Sequence, residues 1–308
     1  MTSEPEHTTT AVMRSLPKPE AILRDTDWAS LEHLWGPAGD VPASLAALRG
    51  TDPVVHARVM DKDLDCLRHS NGVSPATVPA ALFIAAILPE PSTEIEGTYY
   101  SWDDPVGGER RSLLRVELLE WLASLVYDTD DELYAKRRRR GEVSPEIEAV
   151  RTLRPLFFQA VTPFLDDAKP AVRQAALMTA IFLSEHPALA SHRPDLAIRA
   201  RDLLTTCERP RYYRLCAIDG LKAWGEPYED LMRPTDVRPP RPTEQDGSPW
   251  GDAVSIDDQG PVAATARPPR PPVSTPTPCR VGDACRSDAV KGHWAATVAV
   301  WQRAGGHA

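Results

Sequence analysis

Proline stands at the head of one apolar run after another, and the runs have a helical period. The clearest spans Pro170 to Leu183, where Val172, Ala175, Ala176, Met178, Thr179 and Phe182 recur at three- and four-residue steps. That spacing places side chains on one face of an α-helix. Pro170 suits the first turn, where its missing N–H is no loss. Asp166 and Asp167 stand just ahead, where negative charge suits the helix dipole, and His186-Pro187 stops the run. The layout recurs: Asp52-Pro53 opens Val54 to Cys66, Ser74-Pro75 opens Ala76 to Leu88, and Ser144-Pro145 opens Glu146 to Phe164. Pro194-Asp195 opens Leu196 to Thr206, and Pro210 opens Arg211 to Trp224. Arg110 to Tyr127 reads as one long amphipathic helix with Leu114, Leu118, Trp121, Leu122 and Leu125 on a face. No run alternates as a strand would, so an all-α chain without a sheet is expected, its helices in antiparallel pairs joined by short connections.

A shift of 40 residues superposes part of the chain on itself. Pro170 falls on Pro210, Ala176 on Cys216, Met178 on Ile218 and Ile181 on Leu221. Near the front, Leu48, Pro53 and Val55 repeat the order of Leu165, Pro170 and Val172. A period near 40 in helix pairs points to a right-handed α-solenoid, in which stacked pairs supply the core that one pair lacks. Tyr212 and Tyr213 open the last helix; one is expected to fill the place of Val172 and the other to show its hydroxyl outside.

The phrase Asp167-Ala-Lys-Pro-Ala-Val-Arg-Gln-Ala-Ala resembles the HEAT repeat, in which Asp and Pro make the turn while Val and Ala pack. Thr51-Asp-Pro-Val-Val-His-Ala-Arg resembles a degenerate copy. Asp27-Trp-Ala-Ser-Leu-Glu-His-Leu-Trp-Gly-Pro-Ala and Ser74-Pro-Ala-Thr-Val-Pro-Ala-Ala resemble segments of uncharacterised bacterial HEAT-like proteins. The resemblance covers residues 26–232. It implies a HEAT/armadillo-like solenoid that binds other proteins, in some relatives as the immunity partner of a secreted toxin, and it bears on function by analogy.

Composition changes at Arg233. Twelve of the 31 prolines lie in the last 76 of 308 residues, with strings at Arg238-Pro-Pro-Arg-Pro and Arg267-Pro-Pro-Arg-Pro-Pro. Such segments favour extended conformations and bury little apolar surface. Three parts are therefore expected: a flexible 1–25, a helical body over 26–232, and a disordered tail over 233–308 in which Gly292 to Gln302 could form a short helix. Within 1–25 the first twenty residues lack periodicity. Trp28, Leu31 and Trp35 share a helical face and are expected to pack on the first pair. No apolar run approaches the roughly 20 residues a bilayer span needs, and the acidic N-terminus is unlike a signal peptide, so a cytoplasmic, non-membrane protein is expected. Five scattered cysteines without a Cys-x-x-Cys pair read as small buried hydrophobes or inert thiols.

The formal net charge is −9. Residues 1–232 hold 26 Lys and Arg against 36 Asp and Glu, an acidic body that argues against general nucleic-acid binding. The run Lys136 to Arg140 follows Asp128, Asp130, Asp131 and Glu132 and reads as a solvated helix end or loop more readily than as a phosphate site. No phosphate-cradling glycine motif, His-Glu-x-x-His or Gly-x-Ser-x-Gly occurs. His186 and His192 lack a third ligand, His69 suits a helix end, and Asp61, Asp63 and Asp65 alternate round a helix rather than converging. No cofactor, metal site or catalytic residue is expected.

Glu90 to Glu109 separates two strong helices and is long for such a connection. It sets Tyr99, Tyr100 and Trp102 among Glu94, Glu96, Asp103 and Asp104. Aromatics dominate binding energies and acids suit a basic partner; the other reading is an insert folded back on the body. Two functions stand side by side. The first is a non-catalytic solenoid that binds a basic protein as an inhibitor or immunity-type partner. The alternative is a HEAT-like enzyme similar to the alkyl-base DNA glycosylases, for which Trp121, Asp128 and Arg137 to Arg140 are the nearest ingredients.

Overall fold

A computed structural model of the chain describes residues 15–69, 72–101, 108–206 and 211–236. Helices form where the apolar period is strongest. They are α1 (Pro19–Asp25), α2 (Val41–Ala47), α3 (Pro53–Arg58), α4 (Thr77–Ile87), α5 (Leu114–Tyr127), α6 (Asp131–Arg140), α7 (Pro145–Val161), α8 (Pro170–Leu183), α9 (Arg193–Thr206) and α10 (Arg211–Trp224). Proline occupies the first turn of α1, α2, α3, α7 and α8. No helix of the described residues is long and apolar enough to cross a membrane.

α8 lies at the centre, packed against α5, α7, α9 and α10, and most of its side chains are buried. The residues matched by the 40-residue shift share one environment: Ala176 and Cys216, Met178 and Ile218, Ile181 and Leu221 are all buried on α8 and α10. Tyr213 rather than Tyr212 is the deeply buried tyrosine. α4 is apolar all round and packs against α1, α2, α5 and α7, as a helix without a solvent face must. Cys66 and Cys216 are buried free thiols. Burial pushes Cys66 up to about 11, away from thiolate reactivity.

The expectation of a chain without sheet is corrected by three two-stranded antiparallel ribbons. β1 (Glu32–His33) pairs β2 (Gly36–Pro37), β3 (Arg68–His69) pairs β4 (Gly72–Val73), and β5 (Glu96–Ser101) pairs β6 (Gly108–Leu113). The helix expected from Arg110 therefore starts at Leu114. The β5–β6 ribbon escapes a search for apolar alternation because its inward residues include Gly97, Arg110 and Ser112, none of which is a large apolar side chain. The helix expected over Val54 to Cys66 ends at Arg58, continues as a π turn over Val59–Asp63 and finishes as a 3-10 turn over Asp65–Leu67.

The ends of the packed body also move. α1 lies within the segment expected to be flexible, yet Ile22 is fully buried there and α1 packs on α4. Trp28 and Leu31 are buried as expected, but Trp35 is 60% exposed, edge-on to His69 at 6.1 Å. It sits in the turn between β1 and β2, where Gly36 takes φ 149 and the helical period is broken. At the other end, Asp236 is buried against Arg214, four residues past the expected boundary. Residues 237–308, with the Pro-Arg strings and Gly292 to Gln302, lie outside the described residues, as do residues 1–14.

Buried Arg115, Arg154 and Arg214 and half-buried Arg193 tie helix ends together. Arg115 donates through Nε to the Leu88 carbonyl after α4 at 2.9 Å, and its guanidinium lies 4.9 Å from the Phe164 ring centroid. Arg154 reaches the Thr129 carbonyl after α5 at 2.7 Å. Arg193 donates to Ser184 O after α8 at 2.9 Å, and Arg214 to Leu204 O in the last turn of α9 at 2.5 Å. Each supplies a partner to a carbonyl that the end of a helix leaves open.

Candidate functional site

The β5–β6 ribbon crosses the stretch that carries the sequence-predicted site. Its register sets Glu96 opposite Leu113, Thr98 opposite Arg111, Tyr99 opposite Arg110 and Tyr100 opposite Glu109. Alternation along a strand then sorts the side chains onto two faces. Gly97, Tyr99 and Ser112 are buried and Arg110 half-buried beneath the ribbon, while Glu96, Thr98, Tyr100, Glu109 and Arg111 are exposed on top.

The inner face rests on a polar cluster. Arg110 Nη2 donates to Glu117 Oε1 and Oε2 at 2.9 and 3.0 Å, and Arg110 Nη1 to Glu120 Oε1 at 3.3 Å. Tyr213 of α10 donates to the same Glu120. Two carboxylates thus share one guanidinium. Burial, and then the charge of Glu120, push the Glu117 carboxyl up to about 7 although Arg110 opposes the shift. The Tyr99 hydroxyl and Arg110 Nε are buried without a hydrogen-bond partner. Burial raises the Tyr99 phenol above its ordinary range, and Glu117 and Asp61 add to the shift. The ring of Tyr99 covers Gly97 so closely that a Cβ there would stand 3.0 Å from it. On the ribbon edge, Tyr100 N donates to Asp61 Oδ2 at 3.3 Å, across to the π turn.

The sequence-predicted residues separate accordingly. Tyr100 is 44% exposed and Glu96 is exposed, in a surface pair with Arg111 at 3.0 Å. Tyr99 does not reach the surface: it is fully buried, because neighbours on a strand face opposite ways. Glu94 is held by Arg115 at 3.2 Å and Lys169 at 3.3 Å, and Lys169 and then Arg115 hold its carboxyl below the usual range. It ties the turn before β5 to α5 and to the start of α8 instead of standing free beside the aromatics. Trp102, Asp103 and Asp104 lie outside the described residues. Glu109, cross-strand from Tyr100, joins the outer face; no apolar alternation over Gly108 to Leu113 marks it in the sequence.

The residues of the alternative reading do not face an open cleft. Trp121 is buried in the core, and Asp128 is buried with Arg68 Nε 2.6 Å from its carboxylate. A groove of about 340 Å³ between α8 and α9 has Leu165, Leu177, Ile198 and Leu203 among its lining, and its Arg199 is engaged by Asp166 and Asp195. Asp61, Asp63 and Asp65 go to separate partners, namely Tyr100 N, Ser44 with Arg58, and His69. Nδ1 of His186 accepts from Ala188 N, and His192 packs on Phe158 at 4.7 Å. Among the described residues no group of three His, Cys, Asp or Glu could hold a metal ion.

No family model, no curated protein and no solved structure matches this chain.

Proposed function

We propose that the chain is a non-catalytic α-solenoid of HEAT-like helix pairs that binds a basic protein through the outer face of the β5–β6 ribbon, as an inhibitor or immunity-type partner. One observation carries this reading: the ribbon is pinned from below by Tyr99 and by Arg110 on its carboxylates, and on top it presents Tyr100 beside the cross-strand Glu109, with Glu96, paired to Arg111, further along the same face. A rigid aromatic with acids beside it offers low-entropy contact area and electrostatic steering together. The net charge of −9 supports a basic partner. The sharing of Arg110 between Glu117 and Glu120 supports an anchoring role for those carboxylates.

The test is capture from lysate on immobilised full-length protein, run beside Tyr100→Ala and the double variant Glu96→Gln/Glu109→Gln. Basic proteins retained by the native chain and lost with Tyr100→Ala are expected. A captured set that both variants retain in full would move the binding surface elsewhere.

A further inference from the structure

We infer that the C-terminal end of α6 is a docking knob for the phosphate backbone of duplex nucleic acid. The inference starts from a contrast in how this fold uses arginine. Every other arginine with a described side chain has a partner, in most cases a carboxylate or a helix-end carbonyl. Arg138, Arg139 and Arg140 are exposed and have none among the described residues, and neither has the adjoining Lys136. Arg137, within the same run, is half-buried and has a partner of its own, on a helix with no buried residue.

Structural duties do not account for the run. The last carbonyls of α6 are closed by backbone, with Gly141 at φ 71 donating to Arg138 O at 3.2 Å and Glu142 N to Arg137 O at 3.0 Å. That is a glycine cap needing no side chain. The helix dipole favours cations in this turn, but Lys136 with Arg139 and Arg140, and Arg137 with Arg140, are like charges one turn apart and oppose the helix. The acids in the first turn of α6, Asp131 and Glu132, lie more than a turn before Arg138, and Asp131 is held by Arg151.

The shape of the charge selects the occupant. At 100° per residue, the exposed Lys136, Arg138, Arg139 and Arg140 spread over about 200° of the helix instead of lining one narrow face. A helix 10–12 Å across with charge over more than half of its circumference matches a groove with two anionic walls, as in the roughly 12 Å major groove of duplex DNA. Three of the four exposed cations are arginine, whose planar fork suits phosphate oxygens. A bilayer surface would engage one side only and would call for an apolar face that α6 lacks. The acidic body repels a polyanion, which confines contact to the knob and makes it sequence-indifferent and salt-sensitive.

The experiment is fluorescence anisotropy of a labelled duplex DNA of about 20 base pairs titrated with the full chain at a series of salt concentrations. Binding at low salt is expected, with log K falling against log salt at a slope of about −3 to −4. Arg138→Gln/Arg139→Gln/Arg140→Gln should flatten that slope by about three and weaken binding at least tenfold, at an unchanged unfolding midpoint. The matching triple Lys variant keeps the charge and should keep the slope. An absence of duplex binding at low salt overturns the inference, as does binding that the Gln variant retains. So does Arg-dependent binding of polyglutamate or of phosphatidylserine vesicles, run in parallel, at equal or higher affinity than the duplex.

Discussion

The guanidinium of Arg110 on β6 holds both carboxylate oxygens of Glu117 on α5, at 2.9 and 3.0 Å, while also donating to Glu120 one turn further on. One cation for two carboxylates leaves a surplus negative charge beneath the ribbon. Burial and Glu120 place the Glu117 carboxyl at about 7, against an ordinary value of 4.5. Between those values the folded chain keeps a proton that the unfolded chain has released. This contribution to stability is therefore full below about pH 4.5 and is lost as pH rises through 7, by about 3 kcal/mol in all. Urea midpoints at pH 5 and pH 8 check it. The native chain should lose more stability across that interval than Glu117→Gln, and equal losses would remove Glu117 as the cause.

Arg214 and Asp236 form a second pair, 2.7 Å apart and buried on both sides. Arg214 holds the Asp236 carboxyl below its ordinary range. Removing one partner strands a buried charge, which costs about 3–5 kcal/mol. A chain ending at Met232 should unfold at markedly lower denaturant than one ending at Asp236, and Asp236→Ala should reproduce the loss in the full-length chain. Equal midpoints for the two truncations would show that the pair contributes nothing.

Gly220 lies inside α10, where helix propensity alone would have alanine stabilise by about 1 kcal/mol. Packing reverses the sign. A Cβ at Gly220 would stand 2.7 Å from Ile181 Cγ2 on α8, and a methyl on a β-branched carbon has little room to yield. Gly220→Ala is expected to cost roughly 1–3 kcal/mol, read from denaturant unfolding. A stabilised variant would mean that α8 and α10 separate freely.

Tyr99 and Tyr100 should part company under substitution. Tyr99→Ala empties a buried aromatic site and should cost about 3–5 kcal/mol of stability. Tyr99→Phe deletes an unpartnered buried hydroxyl and should be neutral or mildly stabilising. Tyr100→Ala should change stability by less than about 1 kcal/mol while speeding partner dissociation. Glu96→Gln with Glu109→Gln should slow association and weaken its salt dependence. Unfolding midpoints for all variants, with association and dissociation rates for the exposed set, check the division. A folding loss at Tyr100 equal to that at Tyr99 would make the whole ribbon a packing insert.

The helical runs were legible in the sequence because their cause is local. Pro170, Val172, Ala176 and Ile181 state a first turn and a buried stripe in one short stretch, and the same stripe reappears on α10. The ribbon was not legible, because its inward residues are justified only by partners elsewhere in the chain: Arg110 by Glu117 and Glu120, whose own partner Tyr213 lies 93 residues on. A polar residue facing inward looks like a surface residue until its counter-charge is in place. For the candidate site, the sequence sets aromatics and acids together in the segment that forms the ribbon. The pairing of β5 with β6 decided that Tyr100 faces out and Tyr99 in, since one step along a strand exchanges faces. Glu94 was removed from the free acids by Arg115 and Lys169, and Asp236 was drawn into the body by Arg214. Local pattern settled where helices begin and which stripe they bury; long-range pairing of charge and of strand register settled which of the remaining side chains reach the surface.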